Sequence, residues 1–150
     1  MAKTRASSLS NELRSVQRKH GAFQSMELLL PDMNAVLKGK RIRRNDFAKI
    51  MKDGFWFCGG TPLLTILGET VSGIPYGEGD GDPDILARLV PGSIAPLPWS
   101  DRPMGQALFR LYLEEGVPHF ADPRYVLERA MQPLTKMGLK MVMATELEFY

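Results

Sequence analysis

Apolar residues recur along this chain in short runs that change period several times, and each change marks an element. From Ser10 to His20 the sequence is polar except for Leu13 and Val16, which with Gln17 share one side, while Glu12, Arg14, Arg18 and Lys19 surround them. That spacing predicts a short surface helix, with Ser10 or Asn11 as its cap and Gly21 as its stop. Residues 26–30 read as a strand, 31–35 as a turn and 36–42 as a second strand, which together predict a hairpin. A short helix follows, capped by Asn45, with Phe47, Ile50 and Met51 on one face and Asp53-Gly54 ending it. Residues 55–57 and 63–67 are strand-like, and the glycine- and acid-rich stretch 73–84 is a loop. Apolar runs at 86–90 and 107–113 predict two further strands, limited by Pro91, Pro96, Pro98 and Pro103.

At Ala121 the period becomes helical. Asp122 is placed to cap the helix, and Pro123 takes its first position, where no amide donor is needed. Val126, Leu127, Ala130, Met131, Leu134 and Met137 predict a buried face, and Gly138 closes the helix. Pro133 removes one backbone bond at a cost of about 3 kcal/mol, which predicts a kink near Arg129. From residue 140 to 150 the period falls to two. A strand there places Val142, Ala144, Glu146 and Glu148 on one face and Met143, Thr145, Leu147 and Phe149 on the other. Carboxylates two residues apart on a strand stand roughly 7 Å apart at the backbone, so each can reach a different hard cation or both can bracket one. Their oxygens suit magnesium or manganese. The pair also fits the wet face of an edge strand. Its place at the far end of a strand that follows a capped helix favours chemistry, because open sheets carry sites there.

Composition narrows the remaining choices. Of 150 residues 44% are hydrophobic and 24% charged, as in folded globular proteins, and a net charge of +2 gives little attraction to a phosphate backbone. The basic run Lys38, Lys40, Arg41, Arg43 and Arg44 therefore reads as a solvated hairpin edge, and no nucleic-acid partner is expected. The single Cys58 excludes an intrachain disulfide and a cysteine-rich zinc module; it reads as a small apolar filler, the alternative being a reactive thiol. No apolar run approaches the roughly 20 residues of a membrane span, and the basic first residues lead into serines rather than a secretory apolar core. A cytoplasmic protein without a membrane partner is expected. His20 and His119 are too isolated for zinc. Asp80, Asp82 and Asp84 alternate as in a calcium loop, but Ile85 stands where the turn glycine belongs and Pro91 where the bidentate glutamate belongs. No glycine-rich loop here ends in lysine and serine or threonine.

Three blocks, in order, resemble the glutamine synthetase family. Residues 31–42 resemble its early hairpin, where an aspartate-containing turn precedes a glycine-lysine-arginine run, here Gly39-Lys40-Arg41. Gly81-Asp82-Pro83-Asp84, Leu89-Val90-Pro91 and Pro96-Leu97-Pro98-Trp99 resemble its aspartate-rich segment and proline-tryptophan corner. Asp122-Pro123-Arg124 through Gly138, then Glu146-Leu147-Glu148-Phe149, resemble the first helix and first active strand of its catalytic domain.

The resemblance implies an α+β chain. It divides into an N-terminal helical segment (1–25), a β-grasp domain (26–115) and the start of a catalytic domain (116–150). It implies that Glu146 and Glu148 bind divalent Mg2+ or Mn2+. It further implies ATP as substrate, a γ-glutamyl phosphate intermediate, glutamate and an amine or ammonia as reactants, and a ring-type homo-oligomer. The 80–84 loop, the run Val90-Pro91-Gly92-Ser93 and the ending Glu146 to Tyr150 look closer to the branch that joins glutamate to larger amines, the γ-glutamylputrescine type. The run Gly68-Glu69-Thr70-Val71-Ser72-Gly73 stands where ammonia-using members carry Asp-Gly-Ser-Ser. The family's nucleotide-binding segments and other metal ligands lie downstream of Tyr150, so these 150 residues alone are expected to be inactive. The alternative is a stand-alone β-grasp module for interaction or oligomerisation, without catalysis.

Overall fold

The computed structural model describes residues 2–74 and 76–148. Helix α1 spans Ala2–His20 and begins earlier than its cap residues predict. Leu9 and Leu13 are buried and Val16 packs against the same core, so the apolar stripe reaches back past Ser10. Strands β1 (Ser25–Pro31) and β2 (Leu37–Arg43) form the expected antiparallel hairpin. Its turn is held by Asp32, whose Oδ1 accepts from the amides of Asn34 at 2.8 Å and Val36 at 2.9 Å. Gly39 passes so close to β1 that a Cβ there would strike the Leu28 carbonyl oxygen.

A single 3-10 turn, Arg44–Asp46, runs into helix α2 (Phe47–Asp53). Asn45 lies within that turn rather than capping the helix: the Phe47 amide donates to the Arg44 carbonyl, and no side chain caps α2. Strand β3 (Phe55–Cys58) follows. The strand expected at 63–67 is absent. Thr61–Leu63 is a 3-10 turn, and the next residues close on themselves through Gly68 N–H to Thr65 O and Thr65 N–H to Glu69 O. Ile66 and Leu67 consequently stay exposed.

Strands β4 (Asp84–Leu89), β5 (Ala95–Pro96), β6 (Met104–Glu114) and β7 (Val117–Pro118) complete one sheet of order β2-β1-β6-β4-β3, with β5 and β7 also paired to β6. Strand β6 is central and exceeds the expected 107–113 because its first residues pair in parallel with β1 and antiparallel with β5. The β1–β6 pair is the sheet's parallel element; the other pairs are antiparallel. Burial alternates along β1 and β6, so Met26, Leu28 and Leu30 join Ala107, Phe109 and Leu111 in a core that also takes Phe47, Ile50 and Met51 of α2. Phe55 and Phe57 meet Phe109 edge to face at 5.0 and 4.9 Å.

The sheet curls until its outer strands approach. Lys40 of β2 donates to the Trp56 carbonyl of β3 at 3.0 Å, and its ammonium lies 4.9 Å from the Phe55 ring centroid. No helix among the described residues is long and apolar enough to cross a membrane.

Candidate metal-binding segment and the corner that carries it

Helix α3 (Pro123–Lys136) leaves the sheet at a corner built from β6, β7 and Asp122. Asp122 caps the helix as its sequence predicts, Oδ1 accepting from the Tyr125 amide at 3.0 Å. Its other oxygen accepts from the amide of Leu111 on β6 at 3.2 Å, so one carboxylate joins helix and sheet. Asp122 is 1% exposed. Arg110 stands 3.8 Å from it and grips Glu128, six residues further along the chain in α3, through two bonds of 2.9 and 3.0 Å. His119 closes the corner: its amide donates to the Leu111 carbonyl, its carbonyl accepts from Asp122 N–H, and its Nδ1 accepts from Ala121 N–H at 3.2 Å. Spacing in the sequence identifies Asp122 but gives no sign of the Arg110–Glu128 clamp or of His119's role, because their partners are brought close by folding.

Replacing Asp122 by alanine removes a cap worth about 1 kcal/mol and strands the buried Leu111 amide at a further cost of about 2 kcal/mol. The expected loss of about 3 kcal/mol corresponds to a melting temperature lower by roughly 10 °C. Thermal unfolding followed by circular dichroism checks it.

The rest of α3 departs from expectation. None of its residues is buried, and Val126, Leu127 and Met137 are exposed, so the predicted apolar face is left largely uncovered among the described residues. Pro133 sits inside a single helix; its missing amide deprives the Arg129 carbonyl of its helical donor. Gly138 closes the helix as predicted. It adopts a positive φ of 74° while its amide reaches Thr135 O and the Leu139 amide reaches Leu134 O.

Beyond it the strand expected at 140–150 is not formed over the described residues 140–148. Residues 139–148 carry no regular structure, and Phe149 and Tyr150 lie outside the described residues. The physical reason is pairing: a strand is stable only in a ladder, and no described strand lies beside this one. Glu146 and Glu148 are therefore exposed, and neither enters a hydrogen bond or ion pair among the described residues. Their unpaired carboxylate oxygens have the chemistry that magnesium and manganese take. Among the described residues no group of three or more His, Cys, Asp or Glu is placed to hold a metal ion, so this pair needs further ligands.

Several other sequence candidates are engaged in structural contacts. Lys38 lies 3.5 Å from Asp32, and Arg41 pairs with Glu27 at 2.6 Å. In the acidic loop Asp80 accepts from the Asp82 amide, while Asp82 accepts from the Gly60 amide at 3.0 Å and from the Cys58 thiol at 2.9 Å. Burial, then the hydrogen bond to Asp82, push the Cys58 thiol above its usual range, which keeps it protonated and unreactive at neutral pH.

No family model matches the chain. Among curated proteins, γ-glutamylputrescine synthetase of Escherichia coli is 34% identical over 146 residues, 97% of this chain and 31% of that protein. Glutamine synthetase of Pyrococcus abyssi is 30% identical over 88% of this chain and 27% of its own length. γ-Glutamylethanolamide synthetase of Streptomyces coelicolor is 30% identical over 86% and 28%. The chain thus spans about a third of the length of the curated relatives it matches. Among solved structures, the ADP complex of GmaS matches with a TM-score of 0.60 at 23% identity, covering 83% of this chain and 26% of the other. A glutamine synthase homologue matches at 0.64 and 14% identity, over 77% and 28%. Both likenesses show a shared fold. By sequence, this chain is a relative of the glutamine synthetase family.

Proposed function

We propose that these residues are the amino-terminal portion of an ATP-dependent ligase that joins the γ-carboxylate of glutamate to an amine. The observation that carries the reading is the 34% identity to γ-glutamylputrescine synthetase across 97% of the chain. The open apolar side of α3 supports it, because a helix whose Val126, Leu127 and Met137 face water lacks a covering layer. In this reading residues 26–115 are a β-grasp domain and 116–150 open the catalytic domain, with β7 still paired to β6 just past that boundary.

Glu146 and Glu148 hold magnesium or manganese in the complete enzyme. A cation held there would supply neutralisation of phosphate charge and polarisation of the transferring oxygens. The γ-carboxylate of glutamate attacks the γ-phosphorus of ATP, giving γ-glutamyl phosphate and ADP. The amine nitrogen then attacks the acyl carbon, phosphate leaves, and the nitrogen gives up a proton to complete the amide. The residues at 68–73 differ from the Asp-Gly-Ser-Ser stretch of ammonia users, which favours a larger amine than ammonia. The enzyme works as a homo-oligomer in the cytoplasm, and the 150 residues alone are inactive.

The test is phosphate release by the full-length protein with ATP, glutamate and Mg2+, comparing putrescine, ethanolamine and ammonium. Release that requires both glutamate and an alkylamine, with γ-glutamylamide in the products, is expected. ATP turnover that ignores glutamate would refute the reading.

A further inference from the structure

Between β3 and β4 the chain makes a long excursion whose two ends are tied together by one carboxylate. Asp82 Oδ1 accepts from the Gly60 amide at 3.0 Å, and its Oδ2 accepts from the Cys58 thiol at 2.9 Å. Beside them the Gly59 amide donates to the Pro83 carbonyl at 3.0 Å. Asp82 holds this place at a φ of 49°, a left-handed conformation that aspartate and asparagine tolerate better than alanine, and its own amide donates to Asp80 Oδ1 at 3.0 Å. Gly60 is fitted to it from the other side. Its φ of −75° suits any residue, but a Cβ there would come within 2.6 Å of Asp82 Oδ1.

Above this clasp the excursion closes on itself. The Leu63 amide donates to Gly60 O, the Gly68 amide to Thr65 O, and the Glu69 amide to Thr65 Oγ1 at 3.1 Å. Leu63, Leu64, Val71 and Ile74 are among the residues around a space of about 10 Å3, no more than one water needs. Two further bonds dock the excursion on the 31–35 turn: Met33 N–H to Pro62 O at 3.2 Å and Asn34 Nδ2–H to Leu64 O at 2.9 Å. Residues 66–73 are exposed, so the run 68–73 is carried on the outer side of a body fixed at its base. Every atom of the clasp belongs to residues 58–82, and it closes the base of the loop whatever covers the tip in the complete enzyme.

We propose that Asp82 is a positioning residue for the amine: by closing the excursion on Gly60 and Cys58, it holds the run 68–73 in the arrangement that receives the amine.

The proposal rests on the ligase reading above, in which that run distinguishes a larger amine from ammonia. Asp82 acts through the backbone of the loop and takes no part in bond making. A loop that is competent for only part of the time lowers the apparent affinity of its ligand by that fraction. Opening the clasp therefore weakens capture of the amine, while transfer of phosphate from ATP to glutamate, which precedes the amine's attack, continues as before.

Steady-state kinetics of the full-length protein with ATP, glutamate and putrescine test the assignment. Asp82→Ala removes both acceptors, and Gly60→Ala displaces the carboxylate without straining its own backbone. Each is expected to raise the KM for putrescine about tenfold, with kcat and the KM values for ATP and glutamate within about twofold of wild type. Asp82→Asn tolerates the left-handed conformation and keeps an oxygen for the Gly60 amide, so its KM for putrescine should return to within about threefold of wild type. Should Asp82→Ala fail to fold, Gly60→Ala carries the same comparison. An unchanged KM for putrescine in the alanine variants, or equal changes for all three substrates, would overturn the positioning role and leave the ligase reading in place. Wild-type turnover indifferent to putrescine, ethanolamine and ammonium alike would overturn the ligase reading, and the proposal with it.

Discussion

Replacing Gly39 by alanine is expected to lower stability by about 4 kcal/mol, among the largest losses a single methyl group can cause. Gly39 sits in the middle of β2, opposite Leu29 of β1, and a Cβ added there would meet the Leu28 carbonyl oxygen. That oxygen belongs to the backbone of a strand clamped on its other side by β6, so it cannot swing aside as a flexible side chain would. Either β2 lifts off, opening the hairpin and the Lys40 bridge to Trp56, or β1 shifts against β6 and disturbs Leu28 and Leu30 in the core. With about 3 °C per kcal/mol, the melting temperature should fall by roughly 12 °C. Gly54→Ala is the paired control for a different mechanism: Gly54 combines a φ of 77° with a close approach to the Ala87 carbonyl, so alanine is strained there in its own backbone as well as by contact. Denaturant unfolding of Gly39→Ala that matches wild type within about 0.5 kcal/mol would show that the hairpin does not pack as closely as described.

Substituting Glu146 or Glu148 by glutamine is expected to reduce ligase activity of the full-length protein by about 100-fold each while leaving its melting temperature unchanged. The two halves of this expectation have separate causes. Both side chains are exposed and unpaired among the described residues, so a neutral amide of the same shape removes no contact that holds the fold. In the proposed reaction, however, each carboxylate supplies a charged oxygen to a divalent cation, and an amide oxygen is a weaker ligand for so hard an ion. Loss of about 3 kcal/mol of transition-state stabilisation corresponds to about 100-fold in rate. Raising Mg2+ or Mn2+ should recover part of the activity. Full activity in both variants at limiting Mg2+ would remove Glu146 and Glu148 from the site.

The sequence disclosed those parts of the fold that are governed by neighbours along the chain. The 31–35 turn was legible because Asp32 and Asn34 favour it locally, and the Asp32 oxygen does bond two amides within four residues. The start and end of α3 were legible for the same reason, through Asp122-Pro123 and Gly138. Errors arose where an element's state depends on what lies beside it. Residues 63–67 have a strand's composition, but the amides of Leu63, Leu64 and Thr65 all donate to carbonyls within four residues along the chain. Residues 140–148 have a strand's alternation, but no described strand offers them a ladder. The helical spacing of Val126, Leu127 and Met137 marks a face built for burial and says nothing of whether the covering layer is at hand. Of the candidate site, the two carboxylates came from alternation and family resemblance, whereas the polar corner that carries them, with Arg110, His119 and Glu128, is assembled by pairing between β6, β7 and α3 and leaves no mark in local spacing.

Manganese binding to the full-length protein, counted by electron paramagnetic resonance and repeated in Glu146→Gln, Glu148→Gln and the double variant, bears most directly on the proposal that this chain carries metal ligands of a glutamate–amine ligase. Wild type should bind Mn2+, each single variant should bind it more weakly or lose a site, and the double variant should lose both effects together. Binding in the double variant with wild-type stoichiometry and affinity would contradict the assignment.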